Sequence, residues 1–191
     1  MHRIRVSWDF RRYTGLLFFI LLLLTANSWA NPDRRGVNWF DDYAAAAASG
    51  PASITISLSE QRAYFYKGGT LVGVSRVSSG KSGHRTSAGH FRVLAKRPNH
   101  RSTIYGSFVD RRTGRVVKAN VNTRRDRRPP GTYYRGAKMN FYLRFNGGIG
   151  MHASGHVPSY PASHGCVRMP PQMARKFFHY ARVGTPVRVR Y

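Results

Sequence analysis

The chain has 191 residues, 32 Lys and Arg against 7 Asp and Glu, a formal net charge of +25, and 41% hydrophobic residues. Length and apolar content suit one domain with its own core. The shortage of acids argues against chemistry that needs carboxylates, such as glycoside hydrolysis with its two acids or a carboxylate-rich metal site. The single cysteine, Cys166, excludes an internal disulfide.

The chain opens with Arg3, Arg5, Arg11 and Arg12, then an apolar run over 16–26 broken only by Thr25, then Ser28-Trp29-Ala30. Basic start, apolar middle and small residues at a cleavage point predict a signal peptide over 1–30. A spanning helix needs about 20 apolar residues, more than this run supplies, so no stable membrane span is expected after cleavage. No cysteine follows the run closely, which excludes lipid attachment there. Export places the protein in the periplasm or cell wall. The chain after Ala30 keeps a charge of +22. In a cytosolic protein that charge would point to nucleic acid; outside the membrane no nucleic acid partner is expected. The anionic polymers there are peptidoglycan, with its stem-peptide carboxylates, and phosphate-bearing glycans or lipids. Only six of the basic residues are Lys, so a general basic bias is the alternative explanation of the charge.

Residues 31–52 read as a tether with one short helix at 39–48, ended by the breaker pair Gly50-Pro51. The body follows over 53–191. Ile54, Ile56 and Leu58 alternate with Thr55 and Ser57 as a half-buried strand. Residues 63–66 and 71–77 flank a Lys67-Gly68-Gly69 turn as a hairpin. Phe91, Val93 and Ala95 mark another strand; 103–109 and 116–121 are weaker ones. The stretch 111–135, with Asp126, Pro129, Pro130 and many Arg, reads as a mobile loop or flap. Strands return at 139–145 and 149–151. Met173, Ala174, Phe177, Phe178 and Ala181 follow helical spacing between Pro170-Pro171 and Gly184. Residues 186–191 close with alternating Val187, Val189 and Tyr191. The expected class is mainly β: a mixed two-sheet sandwich with one helix in the C-terminal half.

The chemistry centres on Ser163-His164-Gly165-Cys166-Val167-Arg168. A lone cysteine is most often a small buried hydrophobe. In an exported chain, flanked by His and Gly, it reads instead as a nucleophile, which needs a base or a positive environment to become thiolate. His164 stands too near in sequence to meet it easily. His152, 14 residues upstream at a strand end, is the better base, and no Asp is placed to complete a triad. Gly165 permits backbone geometry that aims the Gly165 and Cys166 N–H groups at an oxyanion, and Arg168 offers a planar fork for a carboxylate. A rival reading is zinc on His152, His156, His164 and Cys166, disfavoured by the bend it demands and by the missing carboxylate base.

The run from Gly148 to Ala153 followed by Ser163-His164-Gly165-Cys166-Val167-Arg168 resembles the L,D-transpeptidase (YkuD-like) catalytic domain: a His, a loop, then Ser/Thr-His-Gly-Cys, an apolar residue and Asn or Arg. Gln61-Arg62-Ala63-Tyr64-Phe65-Tyr66, Ser79-Gly80-Lys81, Thr86-Ser87-Ala88-Gly89-His90-Phe91 and Gly184-Thr185-Pro186-Val187 extend the likeness. Ser87 stands where the family has Pro, and the loop after His152 is short. The resemblance implies an exported enzyme acting on peptidoglycan stem peptides, without cofactor or metal. It makes Cys166 the nucleophile and His152 the base, oriented by the Ala153 carbonyl. Gly165 and Cys166 would line the oxyanion site, with Ser163, His164 and Arg168 shaping the site and binding donor. An amine acceptor gives a 3→3 crosslink or protein attachment; water would give an L,D-carboxypeptidase. The other class of function is a basic wall-binding module without turnover.

Overall fold

A computed structural model describes residues 36–191, so the expected signal at 1–30 and the first residues of the tether lie outside the described part. Strand β1 (Trp39–Phe40) and helix α1 (Asp42–Ala47) come first. The Asp41 carboxylate accepts the Ala44 N–H at 2.8 Å and caps the helix. This segment does more than tether. Phe40 lies against Phe65, Phe177 and Tyr180, with ring centroids 5.6, 6.2 and 5.0 Å away, and Ala45 is buried. The Lys176–Asp42 ion pair at 2.5 Å ties α1 to the C-terminal helix.

The largest sheet combines β1 with β2 (Ala52–Ser57), β3 (Arg62–Lys67), β4 (Thr70–Arg76), β5 (Gly89–Arg92) and β13 (Pro186–Arg190), in the order β1-β4-β3-β2-β13-β5. Period-2 burial drives it: Ile54, Ile56, Ala63, Phe65, Val72, Val187 and Val189 all face the core. The β3–β4 turn needs its glycines. Gly68 and Gly69 have φ of 54° and 82°, and a Cβ on Gly68 would lie 1.8 Å from the Ser49 carbonyl oxygen. A second sheet, in the order β12-β11-β10-β6, holds β6 (Ala95–Arg97), β10 (Tyr142–Asn146), β11 (Ile149–Ala153) and β12 (Val167–Met169). Its Leu143, Phe145, Met151, Val167 and Met169 join the same core, and helix α2 (Pro171–Tyr180) adds Met173, Ala174 and Phe177.

The mainly β class and the C-terminal-half helix agree with the expectation from sequence, as does the mixed pairing: β13 runs parallel to β2 and β12 parallel to β11. The stretch 111–135 differs. Part of it is strand: β8 (Val116–Asn122) and the start of β9 (Thr132–Lys138) flank β7 (Arg101–Asp110) in a third sheet, β8-β7-β9. Alternation is invisible there because β8 exposes five residues in succession and buries only Val121.

Candidate active site

Parallel strands β11 and β12 fix the centre of the site. The register pairs Met151 with Val167 and His152 with Arg168. Met151 and Val167 point into the core, so the alternation turns His152, Cys166 and Arg168 to the other side. Cys166 immediately precedes β12, and a short parallel ladder thus brings together residues 14 apart in sequence.

His152 is 8% exposed and donates from Nδ1 to the Ala153 carbonyl oxygen at 2.9 Å. A carbonyl only accepts, so the proton sits on Nδ1 and Nε2 keeps its lone pair. The N–H of the same peptide, that of Ser154, donates to Met169 O at 2.8 Å, which holds the carbonyl in place. Burial pulls the His152 pKa down to about 4, against the Ala153 bond and reinforced by Arg168 and His100. The imidazole is therefore neutral at pH 7.

The Cys166 thiol donates to Gly148 O at 3.8 Å. Burial raises its pKa, while the Gly150 N–H and the Arg168 charge work in the other direction. The resting pair is neutral thiol and neutral imidazole. Tyr142 braces the same carbonyl: its O–H donates to Gly148 O at 2.7 Å, and burial, reinforced by the Cys166 charge, pushes its pKa up to about 12. Gly150 has no room for a side chain, because a Cβ would lie 2.5 Å from Tyr142 Cε2.

The turn before Cys166 is closed by side chains. The Ser163 hydroxyl donates to Cys166 O and accepts the Gly165 N–H at 3.1 Å. Thr86 Oγ1 donates to Gly165 O at 2.8 Å and accepts the Gly80 N–H at 2.9 Å. The Ser163 hydroxyl thus occupies the Gly165 N–H. Gly165 is needed for its φ of 112°. A layer behind this turn gave no chemical signal in the sequence. Buried Gln61 donates to Ser79 Oγ at 2.9 Å and accepts the Ser79 N–H at 2.8 Å, and Ser79 O accepts both the Ala162 and Ser163 N–H groups at 3.0 Å.

Arg168 exchanges two 3.0 Å backbone bonds with Ser78 and lines a cleft with His164. His164 is exposed and does not pair with Cys166; it stacks on Tyr105 of β7 at 4.4 Å and meets His84 edge-on at 4.8 Å. His156 sits in the loop after β11, where its N–H and carbonyl bond the Ser154 hydroxyl. The zinc reading does not hold: among the described residues, no three His, Cys, Asp or Glu side chains are grouped closely enough to hold a metal.

The fold and site define a mainly β protein with a buried neutral histidine on one of two adjoining parallel strands and a cysteine at the entry to the other, beside a basic third sheet. The model of the L,D-transpeptidase catalytic domain, YkuD, matches residues 51–189, and the chain belongs to that family. Solved structures share the fold. An L,D-transpeptidase from Mycobacterium smegmatis is 21% identical with a TM-score of 0.54, over 73% of this chain and 58% of that one. One from Stackebrandtia nassauensis is 19% identical with a TM-score of 0.54, over 74% and 56%. One from Xylanimonas cellulosilytica is 24% identical with a TM-score of 0.53, over 75% and 62%. The chain spans less than two thirds of the length of each of these relatives. Among curated protein sequences none matches significantly.

Proposed function

We propose that the protein is a peptidoglycan L,D-transpeptidase working outside the cytosol, delivered there by the signal at 1–30. The observation that carries this reading is the His152 Nδ1–H bond to Ala153 O on the strand paired with β12. It leaves Nε2 as the only proton acceptor of that ring, on the side of the sheet where Cys166 lies. In the first half-reaction His152 Nε2 takes the thiol proton, and the Cys166 sulfur attacks the carbonyl of the third stem residue. The tetrahedral oxyanion is met by the Cys166 N–H. The C–N bond to the terminal D-alanine breaks, and the imidazolium returns the proton to its departing amine. In the second half-reaction an amine attacks the thioester, His152 accepts its proton, and the thiol is regenerated. Arg168 supplies a cation for a donor carboxylate.

Mass analysis of products from a defined tetrapeptide stem, with and without an amine acceptor, tests this. Wild type should release D-alanine and form the crosslinked product when the amine is present, and a carbapenem should add its mass to Cys166. Full D-alanine release by Cys166→Ala would remove the nucleophile assignment. Hydrolysis alone, with the amine ignored, would make the enzyme a carboxypeptidase. Sacculus binding without any change in muropeptides would leave a wall-binding module.

A further inference from the structure

The end of the third sheet that points away from the Cys166 motif gathers arginine. The β7–β8 turn carries Arg111, Arg112 and Arg115, all exposed, and the Asp110 N–H closes it on Arg115 O at 2.9 Å. The 123–131 loop returns to the same place. The Arg111 N–H donates to Gly131 O at 3.0 Å, and Arg128 Nη1 donates to Thr132 O at 3.1 Å, next to exposed Arg127. Beside these arginines β8 begins with Val116 and Val117, 49% and 54% exposed. The two acids of 101–138 are already engaged. Asp110 accepts the Arg112 and Thr113 N–H groups at 3.0 and 2.6 Å, and Asp126 pairs with Lys118 at 2.7 Å. The ion pairs among the described residues are Lys118–Asp126, Lys176–Asp42 and Arg190–Glu60, and none uses these arginines. Tyr105, which stacks on His164, stands five residues before Asp110 on β7, about 17 Å away at the rise of a strand. None of the five arginines or two valines lines the cleft at Arg168.

Exposed arginines without acidic partners repel one another and are relieved by a surface of opposite sign. A hydrated polyanion would answer the charge but leave the valines in water. An anionic bilayer answers both. Guanidinium groups pair with lipid phosphates through two parallel hydrogen bonds, and apolar side chains beside them enter the boundary between headgroups and acyl chains. We propose that this end of the third sheet docks the protein on an anionic phospholipid surface, with the arginines on the phosphates and Val116 and Val117 at the acyl boundary. The contact is peripheral and reversible, since two valines bury little and salt screens the charge. It does not depend on the chemistry at Cys166.

The test is sedimentation with vesicles of equal parts phosphatidylglycerol and phosphatidylcholine. It uses the chain from Asn31 onward, which keeps every described residue and lacks the apolar run at 16–26. Arg112→Gln/Arg115→Gln/Arg127→Gln should weaken binding about 100-fold. Arg76→Gln/Arg175→Gln/Arg188→Gln removes the same charge from exposed positions on β4, α2 and β13 and should cost less than about tenfold. Val116→Ser/Val117→Ser should weaken vesicle binding about tenfold and leave binding to soluble polyglycerol phosphate unchanged. All these side chains are exposed, so melting temperatures should stay near that of wild type. Equal losses in the two arginine triples would reduce the effect to net charge and overturn the proposal. So would a valine variant that binds vesicles as wild type does. Tighter binding of wild type to polyglycerol phosphate than to vesicles, at matched phosphate, would also overturn it and make the patch a surface for phosphate-bearing glycans.

Discussion

The sheet that carries His152 and the sheet that carries the Arg-rich stretch are built on opposite plans. In the first, β11 alternates Met151 into the core with His152 out of it, and the turn before Cys166 is tied to Gln61, Ser79, Thr86 and Ser163 by bonds of 2.8–3.1 Å. In the second, β8 buries Val121 alone, and the link to the Cys166 motif is the stack of Tyr105 on His164. On the proposed mechanism the reacting atoms are placed by the first sheet, while the second contributes much of the positive charge beside them. Geometry and attraction should therefore respond to different substitutions.

The largest effects should come from the braced sheet. Cys166→Ala should abolish D-alanine release, and His152→Ala should lower it by about 10³-fold, within the range for losing a general base. Both should keep the melting temperature near that of wild type, since neither changes the core. A His152→Ala enzyme with near-normal turnover would mean that another group takes the thiol proton.

The same histidine should mark stability. Its folded pKa of about 4 lies below the ordinary 6.5 because burial disfavours the charged ring. The unfolded chain binds the extra proton more readily, so this contribution is complete above pH 6.5 and is lost as pH falls towards 4. The loss is up to about 3 kcal/mol. Denaturant titrations between pH 7 and 4 should show that decline in wild type and a flatter profile in His152→Gln. Parallel profiles would place the acid sensitivity elsewhere.

Next in size is a packing test. A Cβ on Gly80 would lie 2.0 Å from His84 O and 2.9 Å from Gly165 Cα, both backbone atoms that cannot swing aside. Gly80→Ala should cost about 2 kcal/mol and slow alkylation of Cys166 by displacing Gly165. Unchanged stability and alkylation would show that the two loops are not held as one unit.

The two sheets also differ in what their sequences disclose. Ile54, Ile56, Val187 and Val189 alternate because one face of their strands is buried, so the main sheet is legible. The Cys166 motif is legible because the cysteine, both histidines and the glycine stand in two short runs. Over 111–135 only 116–121 reads as a strand, and weakly, since a sheet that buries so little leaves little period-2 signal, and Arg, Asp and Pro then read as loop. The bracing by Gln61, Thr86 and Tyr142 is also hidden. Each acts across 6 to 79 residues of chain through one or two hydrogen bonds, and no local spacing encodes that. Trp39 and Phe40 follow a Gly- and Pro-bearing stretch that resembles a linker, although Phe40 packs on three aromatic rings.

The smallest effect should separate the two sheets most cleanly. Tyr105 belongs to β7, and its ring lies 4.4 Å from His164 at an interplanar angle of 21°. No hydrogen bond of the Cys166 turn passes through it. Tyr105→Ala should therefore leave the alkylation rate of Cys166 by a small neutral reagent close to wild type. It should lower kcat/KM on a tetrapeptide stem by about tenfold, through KM, because a stack of this kind is worth about 0.5–1.5 kcal/mol and the basic wall of the cleft loses its fixed distance from Arg168. Tyr105→Phe should recover most of the loss, since it is the ring that stacks. If Tyr105→Ala slowed alkylation as much as stem turnover, the third sheet would be part of the geometry that places the thiol, and the division between a positioning sheet and an attracting sheet would fail.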